Sequence, residues 1–147
     1  AEALGLVWHL KQSHLYALLA RLEEDDYIAG TTEPQGMRPP KRVLRLTPRG
    51  QAAFEAWVTT PVAHGRDFRL EFLAKLFFAL EASPQEAAAL IARQRVACHE
   101  WLDDLGVQTG AMETERPYNW LVVQFRRSQI EAILGWLDTC AATLGAR

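Results

Sequence analysis

The chain has 147 residues, and 49% hydrophobic with 23% charged residues is the balance of an ordinary globular protein of one domain or two small ones, which excludes a disordered or collagen-like chain. No stretch approaches the roughly 18 to 20 apolar residues of a membrane helix, since even the most apolar one, Phe72 to Leu80, carries Lys75. The net charge of −2 hides an asymmetry: residues 1–50 hold seven Lys/Arg against six Asp/Glu and residues 51–147 nine against twelve, while Arg38, Lys41, Arg42, Arg45 and Arg49 stand together with no acid between Pro34 and Gly50.

Between Gln12 and Asp26, Leu15, Leu18, Leu19 and Leu22 recur at i, i+3, i+4 and i+7, which predicts an amphipathic helix packed on a core. Pro34-Gln35-Gly36 and Pro39-Pro40 then forbid helix. Ile28–Glu33 and Arg42–Leu46 are expected to pair as a β-hairpin across a turn-rich loop of the eight residues between them. Thr47-Pro48 predicts a helix start, with the threonine as cap and the proline where its missing donor costs nothing; Phe54, Trp57 and Val58 line its buried side.

Thr60-Pro61 through Gly65 reads as a linker, and everything beyond it as helix. Phe68–Ala82 carries the stripe Leu70, Leu73, Phe77 and Leu80, and Ser83-Pro84-Gln85-Glu86 is a capping box opening a helix to about Leu105. A long helix follows from about Pro117 to Leu144. Trp120, Phe125 and Trp136 lie outside its main stripe of Ile130, Ile133, Leu134, Leu137, Ala141 and Leu144, more apolar surface than one face buries, which predicts a partner such as a second copy.

Helix, basic hairpin, helix is the order of a winged helix-turn-helix. The expected fold is mainly α, α+β by virtue of the wing, with a DNA-binding domain over 1–60 and a helical dimerisation and effector domain over 68–147. Phosphates dominate affinity and call for Arg and Lys in the wing; base edges specify sequence and call for polar side chains at the helix start. Lys11, Gln12, Ser13 and His14 open the helix, and Arg38, Lys41 and Arg42 surround the wing tip. Gln12 can make paired bonds to adenine, Ser13 and His14 are less selective, and Tyr16 can reach a phosphate. A solvated helix cap and a solvated charged face are the plain alternatives.

Trp8 to Ile28, with its Leu15-Tyr16 pair and Leu19-Ala20-Arg21-Leu22-Glu23 run, resembles the recognition-helix signature of the PadR family of bacterial transcriptional regulators. Arg42-Val43-Leu44-Arg45-Leu46-Thr47-Pro48-Arg49-Gly50 is similar to that family's Tyr/Leu-x-Leu-Thr-x-x-Gly wing exit, and Arg69 to Ala79 with Gly135-Trp136-Leu137 resembles its longer subgroup, whose helical C-terminal domain dimerises. Three departures stand out. Asp26 occupies the position of a helix-ending glycine and Lys11 that of a capping Ser, Asn or Thr. The family also begins with a helix for which there is no counterpart, so Ala1–Val7 reads as the end of the second helix of the motif and the sequence as part of a longer protein.

No GxSxG, HExxH, Walker loop or Rossmann fingerprint occurs, and the expectation is a non-enzyme without cofactor or metal. Cys98-His99 is the sole thiol–imidazole neighbour pair, and reads as a core thiol beside a surface histidine. Two cysteines without a framework or CxxC pair suggest a reducing compartment, the cytoplasm. The resemblance further implies a small, phenolic or otherwise aromatic effector, for which Trp8, Phe68, Phe72, Phe78, Trp101 and Trp120 are available, core packing being the alternative for each. The resulting expectation is a homodimeric repressor on a palindromic operator, with double-stranded DNA and a second copy as partners. A helical interaction module and a MarR-like ligand-responsive regulator remain the rival readings.

Overall fold

A computed structural model of the protein describes residues 11–36, 38–111 and 117–145. The readings made for Ala1–Val7 and Trp8 lie outside them. The chain divides into two compact units, one ending at Val58 and the other beginning at Thr59.

The first unit is α1 (Gln12–Glu24), β1 (Ile28–Gln35), β2 (Arg38–Leu46) and α2 (Pro48–Thr59). α1 closes in a left-handed turn. Tyr27 N–H donates to the Leu22 carbonyl at 2.8 Å and Asp26 N–H to that of Glu23 at 3.1 Å, with Asp26 at φ 59° where glycine is the usual occupant. Leu15, Leu18 and Leu22 remain 41%, 38% and 40% exposed, so the leucine stripe expected to pack on a core is only partly covered, and no α1 residue is fully buried.

The hairpin is longer than the sequence suggests. Antiparallel pairing runs from Ile28↔Leu46 to Gln35↔Arg38, with an irregularity between Glu33 and Gln35, and Gly36 turns at φ 62°. The eight-residue loop expected between Glu33 and Arg42 is therefore mostly strand. Proline is excluded only from positions that must donate to the ladder, and in a two-stranded sheet both strands are edges.

Beyond the hairpin, Thr47 opens α2 as predicted, its hydroxyl accepting from Gly50 N–H at 3.0 Å. The same hydroxyl donates to the Asp26 carbonyl at 2.6 Å, which ties the end of the wing to the end of α1. A side chain at Gly50 would overlap the Tyr27 carbonyl oxygen and stand 2.8 Å from its carbon, so the Leu-Thr-x-x-Gly pattern combines one cap with one close backbone crossing.

The second unit comprises a 3-10 turn (Gly65–Asp67), a π-helical turn (Phe68–Phe72), α3 (Leu73–Ala82), α4 (Pro84–Ala111) and α5 (Pro117–Gly145). Ser83 caps α4, accepting from Glu86 N–H at 3.1 Å, and that helix runs past the expected end at Leu105, with Gly106 exposed along it in open space. The stripe expected in α3 lies on the wrong face. Leu70 and Leu80 are each 43% exposed, whereas Phe72, Lys75, Leu76 and Ala79, another i, i+3, i+4, i+7 set, point into the core.

Lys75 is the reason the correct face was hidden. Its side chain is 2% exposed, donating to the Thr60 carbonyl at 2.7 Å and pairing with Glu71 at 2.9 Å. Gln94, fully buried, accepts from Val62 N–H at 2.8 Å and donates to the Val62 carbonyl at 3.5 Å. The segment read as a linker is thus pinned at Thr60 and Val62 by two buried polar side chains, which satisfies its backbone groups. Among the described residues no helix is long and apolar enough to cross a membrane.

Candidate nucleic-acid interface

Lys11, Gln12, Ser13, His14 and Tyr16 are all exposed on the first turns of α1, Tyr16 at 62%. Lys11 precedes the helix with extended backbone, and its carbonyl accepts the first helical bond from Leu15 at 3.1 Å. Among the described residues no side chain caps this terminus, and no acid lies in its first turn to oppose an anion at the positive end of the helix dipole.

In the hairpin the structure separates residues that the sequence presents as one basic run. Alternation places Arg42, Leu44 and Leu46 on the face shared with Ile28, Gly30 and Thr32, and Lys41, Val43 and Arg45 on the other. Arg42 turns back toward α1, where its Nη2 contacts both carboxylate oxygens of Glu23. Glu23 Oε1 also accepts from Gly30 N–H at 3.2 Å. Room for this comes from Gly30 itself, since a Cβ there would stand 2.5 Å from Arg42 Nε and 2.9 Å from Glu23 Oε1. Helix, first strand and second strand meet at one carboxylate.

Arg42, expected among the phosphate-binding cations of the wing, is paired within the chain with Glu23, both side chains keeping part of their surface exposed. Lys41 pairs with Glu33 at 3.2 Å, but both side chains are about half exposed, and such a pair is weak enough to exchange for a phosphate. Arg38 opens β2, and its side chain lies outside the described residues. Arg49 stacks over the Tyr27 ring at 4.8 Å from the centroid. Sequence reasoning missed Glu23 and Gly30. A glycine inside a strand was the available hint, because it marks close approach of another group.

Three of the six aromatic residues considered for an effector, Phe68, Phe72 and Phe78, are used in ring packing. Phe68 and Phe72 stack at 4.3 Å, and Trp136 meets them edge-on at 5.6 and 6.2 Å. Phe78 packs edge-to-face on Phe77 at 5.3 Å. Trp120 is 52% exposed, and Trp101 lines a cavity of the second unit. Cys98 is fully buried, and burial pushes its thiol above the usual value, partly opposed by Gln94; His99 beside it is exposed.

The model of the PadR-like transcriptional regulator family matches residues 1–56, and that of the virulence activator alpha C-terminal domain matches residues 68–145. The negative transcriptional regulator PadR of Bacillus subtilis (strain 168) is 26% identical over 152 residues, covering 97% of this chain and 84% of that protein. Solved structures similar to this chain include Bacillus subtilis PadR in complex with operator DNA, 26% identical with a TM-score of 0.44 over 97% of this chain and 85% of that one. The same protein in complex with p-coumaric acid is 24% identical, with a TM-score of 0.45 over 97% and 83%. With a family model on each unit, the chain belongs to the PadR-like family of transcriptional regulators, which are not enzymes, and carries a C-terminal domain of the virulence activator alpha type.

Proposed function

We propose that the protein is a homodimeric repressor of the cytoplasm that binds a palindromic operator and is released from it by a small aromatic acid. The observation that carries this reading is the exposed, acid-free first turn of α1, with no side-chain cap among the described residues, on a helix held to the hairpin by the Glu23–Arg42 pair within one unit. Gln12, Ser13 and His14 then read base edges, Lys11 and Tyr16 hold flanking phosphates, and Arg38 and Lys41 take the wing phosphates. Arg42 acts through Glu23 and sets the angle of the wing.

Two such heads need a two-fold axis. Support for one through the C-terminal helices comes from the exposed apolar side chains at the start of α5, Tyr118 at 74%, Leu121 at 58% and Phe125 at 63%. The Bacillus subtilis relative is a negative regulator solved with operator DNA and with p-coumaric acid, which favours the same sense of regulation and the same class of effector here.

The test is selection from a random duplex library by the full chain at near-physiological salt. The expected result is one palindrome with half-sites about 10 base pairs apart, the spacing that puts two recognition helices in successive major grooves. A folded protein that recovers no sequence refutes the operator reading, and a monomer in sedimentation at micromolar concentration refutes the dimer.

A further inference from the structure

We infer that the groove running along α4 from Pro84 to His99 is a binding site for a straight-chain fatty acid. It measures about 590 Å³, the range of small-molecule sites, and it lies wholly in the second unit. The contacts Arg95–Asp138 and Arg126–Gln108 set α4 and α5 antiparallel, so the end of α5, Ala141 to Gly145, walls the groove beside the start of α4. Fifteen residues of helix rise about 22 Å, the reach of a long acyl chain.

Small side chains keep this seam open. Ala88 and Ala92 on α4 and Ala141 on α5 stop at Cβ, and a Cβ added to Gly145 would meet nothing within 4 Å. Ile91, 2% exposed, and the half-buried Leu144 form the floor. Val96 stands at the rim 60% exposed, apolar surface that a run of methylenes would cover.

The lining selects tail and head separately. No phenyl, phenol or indole ring lines the groove among the described residues, so a flat aromatic ligand finds nothing to stack on. No carboxylate lines it either, and its two basic side chains, Arg95 and His99, lie one turn apart at the end remote from Gly145. Arg95 Nη1 pairs with Asp138 at 3.0 Å, but these side chains are 44% and 57% exposed, and so exposed a pair is weak enough to exchange. The planar fork of the guanidinium matches a carboxylate in two parallel bonds. The side chain of His99 is exposed and in no hydrogen bond or ion pair among the described residues. A basic end on an aliphatic groove fits an anionic head on an aliphatic tail; a bare anion would leave the floor uncovered, and an uncharged chain would gain nothing from Arg95.

The groove binds or fails to bind whether or not the protein holds an operator. Isothermal titration of the full chain with the saturated acids from octanoate to tetradecanoate, each below its micelle concentration, reads the tail. Affinity should rise about two- to fourfold per added methylene, since an open groove buries only part of each, and level off once the groove is full. Dodecan-1-ol and dodecyltrimethylammonium read the head, and should bind about tenfold or more weaker than dodecanoate. p-Coumarate should not displace dodecanoate. Ala92→Phe, which plugs the groove from an exposed position, should remove binding of every acid. Arg95→Gln should weaken the acids about tenfold and leave the alcohol unchanged, whereas Arg126→Gln, elsewhere on the same two helices, should alter neither. Unchanged melting curves exclude misfolding as the cause, and the head-group selectivity of Arg95→Gln is a readout that misfolding would not produce. Binding only above the micelle concentration, a flat chain-length series, equal affinity for the three head groups, or full affinity in the plugged variant overturns the site. A folded Ala92→Phe protein that sediments as a monomer where the natural chain is a dimer assigns the groove to a second copy and overturns it equally.

Discussion

The junction of Glu23, Gly30 and Arg42 makes a prediction whose sign depends on context. Alanine is ordinarily better than glycine inside a strand, by about 0.5–1 kcal/mol. At position 30, however, the new methyl would stand 2.5 Å from Arg42 Nε and 2.9 Å from Glu23 Oε1. Both atoms end flexible side chains, so the ion pair opens before the backbone moves. With Arg42 60% and Glu23 31% exposed, the pair is screened, and its loss costs about 1 kcal/mol at most. Gly30→Ala should therefore be neutral to mildly destabilising in the natural chain, and stabilising by about 0.5 kcal/mol once Arg42→Ala has emptied the space. A double-mutant cycle in urea reads the coupling directly. Additivity within about 0.3 kcal/mol would show that the methyl and the guanidinium do not compete, and the reasoning would fail.

The same junction separates two roles for Arg42 in DNA binding. If its guanidinium met a phosphate, Glu23→Gln would release it, raise affinity and steepen the salt dependence by about one ion per subunit. If it holds the wing against α1, Glu23→Gln lowers affinity and leaves the slope unchanged. Fluorescence anisotropy on the selected operator at several salt concentrations distinguishes them, and a gain of affinity would return Arg42 to the phosphate contacts.

Other consequences follow from single contacts. Gly50→Ala should destabilise by about 3 kcal/mol or more, because the Tyr27 carbonyl it would strike is fixed by Thr47 N–H at 3.1 Å; a wild-type melting curve would contradict that crossing. Asp26→Gly should gain about 0.5 kcal/mol, relief of the left-handed conformation exceeding the added chain entropy, and an unchanged denaturation midpoint would count against it. Gln94→Leu leaves Val62 N–H and C=O buried without their present partner and should cost about 2 kcal/mol or more by thermal melt, whereas a neutral effect would mean that the 60–62 segment is not pinned there.

The order of elements was legible because caps and breakers carry it. Thr47-Pro48 and Ser83 start helices where the sequence places them, and the basic hairpin is present. Faces were less legible than elements. In α3 the buried set includes Lys75, which composition marks as solvent-facing; the Thr60 carbonyl, fifteen positions away, and Glu71 make its burial tolerable. The hairpin was shortened by treating three prolines as breakers, a rule for central strands applied to a sheet that has none. Charge was legible as a local run, but not its division between the two faces of the hairpin. Strand alternation sends Arg42 and Lys41 to opposite faces, and the acid that takes Arg42 lies nineteen residues upstream on another element.

That division bears on how an acidic protein holds DNA. Glu33 faces Lys41 across the hairpin at 3.2 Å, with both side chains 43–51% exposed, so a phosphate approaching Lys41 must displace a carboxylate of the protein's own. An exposed pair of this kind contributes about 0.2–1 kcal/mol, close to what one phosphate contact returns, and the exchange is near balance. Glu33→Gln removes the competitor without touching Lys41. Operator affinity should then rise about two- to fivefold per subunit, non-specific affinity should rise by a similar factor, and the ratio of the two should stay constant, since phosphate contacts carry no sequence information. A change in that ratio would mean that Glu33 takes part in reading bases. No change in either affinity would mean that Lys41 faces solvent in the complex, and the wing would then act mainly through the position that Glu23 imposes on it.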